Sequence, residues 1–78
     1  MNDIDKQLFE PVQRLINYFG NQVSTAEALG VRQATISGWL TYKHGVSGIS
    51  ALKAEMLTEG AVKASELCPS LGDIKLKE

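Results

Sequence analysis

The stretch Gln22-Val23-Ser24-Thr25-Ala26-Glu27-Ala28-Leu29-Gly30-Val31-Arg32-Gln33-Ala34-Thr35-Ile36-Ser37-Gly38-Trp39-Leu40 decides the fold. Two helices crossing near a right angle need a small residue where their backbones approach. They also need a glycine in the connecting turn and apolar residues on the buried side of the second helix. Ala26, Gly30, Val31, Ile36 and Trp39 supply these in order. Ala26 precedes Gly30 by one helical turn, so it faces the following helix across the corner. Ile36 and Trp39, three apart, share a face and fill the gap against the preceding helices.

Outward from this corner the chain reads as helices punctuated by glycines. Phe9, Val12, Leu15, Ile16 and Phe19 line one face of a 3.6-residue period, Pro11 suits a first turn, and Gly20-Asn21 ends the helix. The second helix spans residues 22–29 with Val23, Ala26 and Leu29 inward. The third runs from Arg32 or Gln33 to Leu40, before Tyr42-Lys43-His44-Gly45. A fourth, from Ser47 or Ser50 to Glu59, is expected to send Ile49, Leu52, Met56 and Leu57 toward the core. Residues 61–69 hold at most a one-turn helix starting near Lys63, and residues 72–78 are expected to fray. The fold class is all-α, a compact bundle of four to five short helices containing a helix-turn-helix. Its organisation is an extension (1–8), one helical domain (9–71) and a flexible tail (72–78).

Composition bounds the function. A chain of 78 residues is one domain, burying little more than half of what it exposes unfolded. At 44% hydrophobic and 22% charged it has a foldable composition, not a disordered one. Cys68 stands alone, which excludes an internal disulfide, offers no second sulfur for zinc and fits a reducing compartment. It is read as an inert, buried small hydrophobe. No apolar run approaches the roughly 20 residues that span a bilayer. The start Met1-Asn2-Asp3-Ile4-Asp5 is acidic where a secretory signal is basic, so a cytoplasmic location is expected. There is no Ser/His/Asp arrangement, glycine-rich phosphate loop or carboxylate pair, and His44 has no metal-ligating neighbour in sequence. Neither an enzyme nor a metal or cofactor site is expected.

The net charge is −1, but it is unevenly spread. Between Gly20 and Lys53 the only acid is Glu27, against Arg32, Lys43, Lys53 and the titratable His44. In that locally basic region the face of the third helix opposite Ile36 and Trp39 carries Gln33, Ala34, Thr35, Ser37 and Gly38. This face is small and polar enough to enter a major groove roughly 12 Å wide. A glutamine at Gln33 pairs bidentately with adenine, Thr35 and Ser37 bond to bases or phosphates, and the Ala34 methyl meets a thymine methyl.

Residues 22–39 resemble the helix-turn-helix of phage repressor and Cro proteins, and the wider chain is similar to the Cro-like/YdaS-like family of small phage and prophage regulators. The likeness extends to Glu59-Gly60-Ala61-Val62-Lys63-Ala64-Ser65-Glu66-Leu67-Cys68-Pro69, a helix end, glycine, Ala-Val, polar residues and a Leu-x-Pro. Many relatives carry arginine where this chain has Cys68. The resemblance implies a lambda-repressor-like fold and operator binding as a homodimer on a pseudo-palindromic site of double-stranded DNA. It implies that Gln22 caps the second helix beside a phosphate, while Gln33, Thr35, Ser37 and Gly38 face base edges. With Gln22, the residues assigned to the phosphate backbone are Arg32, Tyr42, Lys43 and His44, the last three on the loop that follows the reading helix. The tail from Gly60 to Leu71, through Val62, Leu67 and Leu71, is the expected pairing surface. A different class fits the same pattern: a helix-turn-helix-derived protein-interaction module such as a toxin or antitoxin component.

Overall fold

A computed structural model of the chain describes residues 8–69. Within them lie five helices and no strand: α1 Glu10–Phe19, α2 Gln22–Leu29, α3 Gln33–Leu40, α4 Gly48–Leu57 and α5 Ala64–Leu67. Residues 1–7 and 70–78 lie outside the described residues, and with them the expected tail 72–78 and all of the expected extension 1–8 but Leu8, which packs against the core. The all-α bundle read from the sequence is therefore the observed fold.

Helix ends follow local chemistry. Pro11 occupies the first turn of α1, and Gly20 stops it at φ 109° while donating to the Ile16 carbonyl. Asn21 caps α2, its side chain accepting from the Ser24 N–H at 2.8 Å. Gln22, expected to be the cap, is the first helical residue instead. At the corner, Gly30 takes φ 73°, and the N–H groups of Gly30 and Val31 bond back to Glu27 and Ala26. These bonds make a Schellman closure whose left-handed residue favours glycine. The same closure ends α3 and α4, where Tyr42 (φ 64°) and Glu59 (φ 54°) occupy the left-handed position. At Tyr42 a strain of about 1–2 kcal/mol is expected. Its ring packs on Phe9 at 5.3 Å between centroids, which offsets part of that cost.

Val12, Leu15, Ile16, Ala26, Leu29, Ile36, Trp39 and Leu40 form the centre of the core, with Phe9, Phe19 and Val31 packed against it. Ala26 is buried at the α2–α3 corner, as its spacing predicts. Val23 corrects the reading of α2: it is 48% exposed, and Thr25 is buried in its place with its hydroxyl bonded to the Asn21 carbonyl. The larger correction is in α4. Ile49, Leu52, Met56 and Leu57 all face water, and Ala51 and Ala54 make the inward contacts. Small side chains let α4 approach its neighbours closely, and the helix turns its bulk outward.

The segment after α4 belongs to the core and is not spare surface. Val62 and Leu67 are each 2% exposed, which removes them from the expected pairing surface; Leu71 lies outside the described residues. Polar bonds fix the segment: the Thr58 hydroxyl donates to the Ala54 carbonyl and accepts from the Val62 N–H, and the Glu55 carboxylate accepts from the Ala64 N–H at 2.8 Å. Arg14 on α1 reaches Glu66 at 2.8 Å and Glu10 at 3.0 Å, tying the first helix to the last. Cys68 is half-buried and packs against the core.

Candidate nucleic-acid interface

The burial of Ile36, Trp39 and Leu40 fixes which side of α3 remains in water. Arg32, Gln33 and Ala34 are exposed, and Thr35 and Ser37 are half-buried on the same helix. Arg32 lies just before the first helical turn, in extended conformation, with no side-chain cap over the helix start. The first N–H groups of α3 and the Gln33 amide therefore stand at an open helix N-terminus, where partial positive charge favours an anion.

Gln22 and Gln33 are brought together across the corner. The Gln33 Nε2 donates to the Gln22 Oε1 at 3.5 Å, a long bond that joins the first residues of α2 and α3. It uses one of the two Gln33 amide hydrogens and leaves the other, with Oε1, free to bond elsewhere.

Past the helix, Tyr42 is 63% exposed, and Lys43 and His44 are exposed on the same turn. The turn is pinned to α3 by the N–H groups of Lys43 and His44, which donate to the Gly38 carbonyl at 2.8 and 3.4 Å. Gly38 differs from its expected setting. It is buried, because the His44 imidazole lies over it, and a Cβ at this position would overlap the ring. Gly38 thus presents no surface of its own and acts as a notch that seats His44 against α3. The sequence carried a signal for this, a glycine inside a helix, which costs about 1 kcal/mol relative to alanine unless something needs the space.

Of the local bases, Lys53 is committed elsewhere. Its Nζ donates to the Leu29 carbonyl at 3.2 Å, capping the C-terminal end of α2 where a cation is favoured. Arg32, Lys43 and His44 remain around α3, with no ion pair to any described acid. No group of His, Cys, Asp or Glu among the described residues could hold a metal ion, and no helix there is long and apolar enough to cross a membrane.

A glycine-closed corner between two short helices, the second presenting a polar face beside a cationic turn, defines a helix-turn-helix protein. Comparison with known proteins gives the particular family. The family described as bacterial toxin YdaS matches residues 12–75. A regulatory protein cro of Pseudomonas phage D3 is 47% identical over 58 residues, covering 74% of this chain and 80% of that protein. No solved structure matches the chain. The chain belongs to the Cro-like/YdaS-like family of small phage and prophage regulators.

Proposed function

We propose that this protein is a sequence-specific DNA-binding transcriptional regulator of Cro type, which occupies a pseudo-palindromic operator in a phage, prophage or plasmid switch. The Gln22–Gln33 contact carries the reading. A glutamine at the exposed start of a reading helix, held by a second glutamine, has its remaining amide hydrogen and its oxygen preset for the N7 and N6 edge of an adenine. In this reading Gln33, Ala34, Thr35 and Ser37 face base edges, and Gly38 contributes by seating His44. Gln22, Arg32, Tyr42, Lys43 and His44 contact the sugar-phosphate backbone and set the register. The role is that of a regulator without catalysis, in the cytoplasm where the DNA is. The relative named regulatory protein cro supports it.

The interaction-module reading has one observation of its own, the toxin description of the matched family, and the net charge of −1 is compatible with it. Ionic strength separates the two. A DNA reader that neutralises a few phosphates loses affinity steeply with salt, by a slope of about 0.9 for each phosphate contact.

Selection of bound sequences from a random duplex pool tests the proposal, the expected product being a two-fold symmetric site. On that site Gln33→Ala is expected to cost about 1–3 kcal/mol and to relax preference at one base pair per half-site, with random-DNA binding and fold unchanged. Lys43→Ala weakens cognate and random DNA alike and lowers the salt slope by about one unit. If Gln33→Ala, Thr35→Ala and Ser37→Ala each bind the selected duplex as tightly and selectively as the parent, the reading face is misassigned and the proposal fails with it.

A further inference from the structure

The outward face of α3 carries a side chain that does not belong to α3. At the pitch of an α-helix, position 38 points about 160° away from both Ile36 and Leu40, which are buried, and only about 40° from the exposed Ala34. It stands at the middle of the face left in water. Gly38 has no side chain to put there, yet it is buried, because the His44 ring occupies the place. Nε2, Cε1 and Cδ2 are the ring atoms nearest to where a Cβ would stand, Nε2 the nearest of all. The ring itself is exposed, and neither of its nitrogens has a hydrogen-bond partner among the described residues.

We infer that His44 is a base-reading residue, donating from its imidazole to the N7 of a guanine in the major groove, in place of the side chain that α3 lacks at position 38. The inference rests on the operator reading and sharpens it at one residue: of the turn residues set against the sugar-phosphate backbone, His44 is the one carried back onto the helix. The backbone does the carrying. Tyr42 takes φ 64°, which reverses the chain, and the N–H groups of Lys43 and His44 close on the Gly38 carbonyl. The Tyr42 ring is held on Phe9 instead. Reach adds to this placement. Ala34 offers a methyl, and Thr35 and Ser37 are short and half-buried, so the imidazole is the long polar group over the second half of α3. Guanine is the base that its chemistry selects. An imidazole carries at least one N–H in either protonation state. Guanine meets it with two acceptors, N7 and O6, whereas adenine sets an amino donor beside its N7.

Selection from a random duplex pool, run in parallel on the parent, His44→Ala and Gly38→Ala, tests the assignment. The parent should select guanine about one or two base pairs from the adenine assigned to Gln33, because five residues of helix advance about 7–8 Å. His44→Ala loses that preference, by about fivefold or more between guanine and the other bases, and keeps the preference at the Gln33 pair. Gly38→Ala, which retains the imidazole but fills its seat, loses the same preference. On the selected duplex, 7-deazaguanine in place of that guanine removes N7. The replacement weakens the parent by about fivefold or more and His44→Ala by no more than about twofold. His44 is exposed, so far-ultraviolet circular dichroism of His44→Ala should match the parent. A site without guanine at that place, or one whose guanine preference survives in either variant, overturns the inference and leaves the operator reading standing. So does a loss in His44→Ala that is uniform over all sequences, the mark of a backbone contact. A parent that selects no sequence at all overturns the operator reading and this inference with it.

Discussion

The α2–α3 corner and α4 solve the same packing problem with opposite side-chain arrangements. At the corner a single small residue, Ala26, admits the crossing, and the large residues Leu29, Ile36 and Trp39 fill the interior. In α4 the interior side is alanine alone at positions 51 and 54, and the large residues are outside. The contrast teaches that apolarity does not fix which face is buried. Where helices approach closely the volume for large side chains is absent, and close packing selects for small residues. The large residues of α4 are then free to serve an external contact.

Three substitutions probe this contrast through stability, beginning with the largest expected effect. Leu67 sits against the underside of the bundle at 2% exposure, and Leu67→Ala is expected to cost about 2–5 kcal/mol by leaving a cavity. A loss below about 0.5 kcal/mol would return the tail to the surface. Ala51→Leu should cost about 1–3 kcal/mol by overpacking a site with no exposure. Its neighbour Leu52→Ser, at a side chain 55% exposed, should change stability by no more than about 0.5 kcal/mol. Denaturant melts of the two variants decide the matter: were Leu52→Ser the more damaging, the faces of α4 would be reversed.

The corner has its own asymmetry between helix propensity and fit, at Gly38. Alanine there would stabilise an isolated helix by about 1 kcal/mol. In this structure its Cβ meets the His44 ring, so the ring must leave its seat on α3. On the selected duplex, Gly38→Ala is expected to weaken binding about threefold to tenfold in the parent and to have no further effect in a His44→Ala background. Additive losses in the double variant would show that Gly38 and His44 act separately.

Much of this was legible from residue type and spacing. The Ala26–Gly30–Ile36–Trp39 pattern defined the corner, because glycine at a left-handed turn and alanine at a crossing are both forced by sterics. The candidate surface followed from it, since burying Ile36 and Trp39 leaves only one side of α3 outside. The orientation of α4 was not legible. Ile49, Leu52 and Met56 repeat with a helical period as regular as that of Ala51, Ala54 and Thr58, and periodicity alone ranks the larger set as core. Val23 misled in the same way, being apolar and correctly spaced but two positions from the buried Thr25. The seating of His44 on Gly38 joins residues through a turn that takes a left-handed Tyr42, a conformation that residue type argues against.

The smallest expected effect concerns how α1 is fastened to the end of the bundle. The Arg14 guanidinium, then the Lys63 N–H, bond to the Glu66 carboxylate and hold it below the usual carboxylate range. Arg14 keeps its charge in both folded and unfolded chains, raised further by Glu66 and Glu10, so only the carboxylate titrates. A carboxyl whose folded pKa is depressed binds fewer protons folded than unfolded. Its stabilisation is therefore complete above the ordinary carboxylate pKa of about 4.3 and is lost as pH falls through the lower folded value. Glu66→Gln removes the charge while keeping an oxygen that accepts from both donors. The melting temperature of the parent should exceed that of the variant by a small, constant margin from about pH 6 to 8, with the margin closing below about pH 4. Because the pair is solvent-exposed, the margin should also shrink in high salt. A margin that persists at acid pH and in salt would assign Glu66 to packing and leave the α1–α5 attachment to the buried contacts of Leu67.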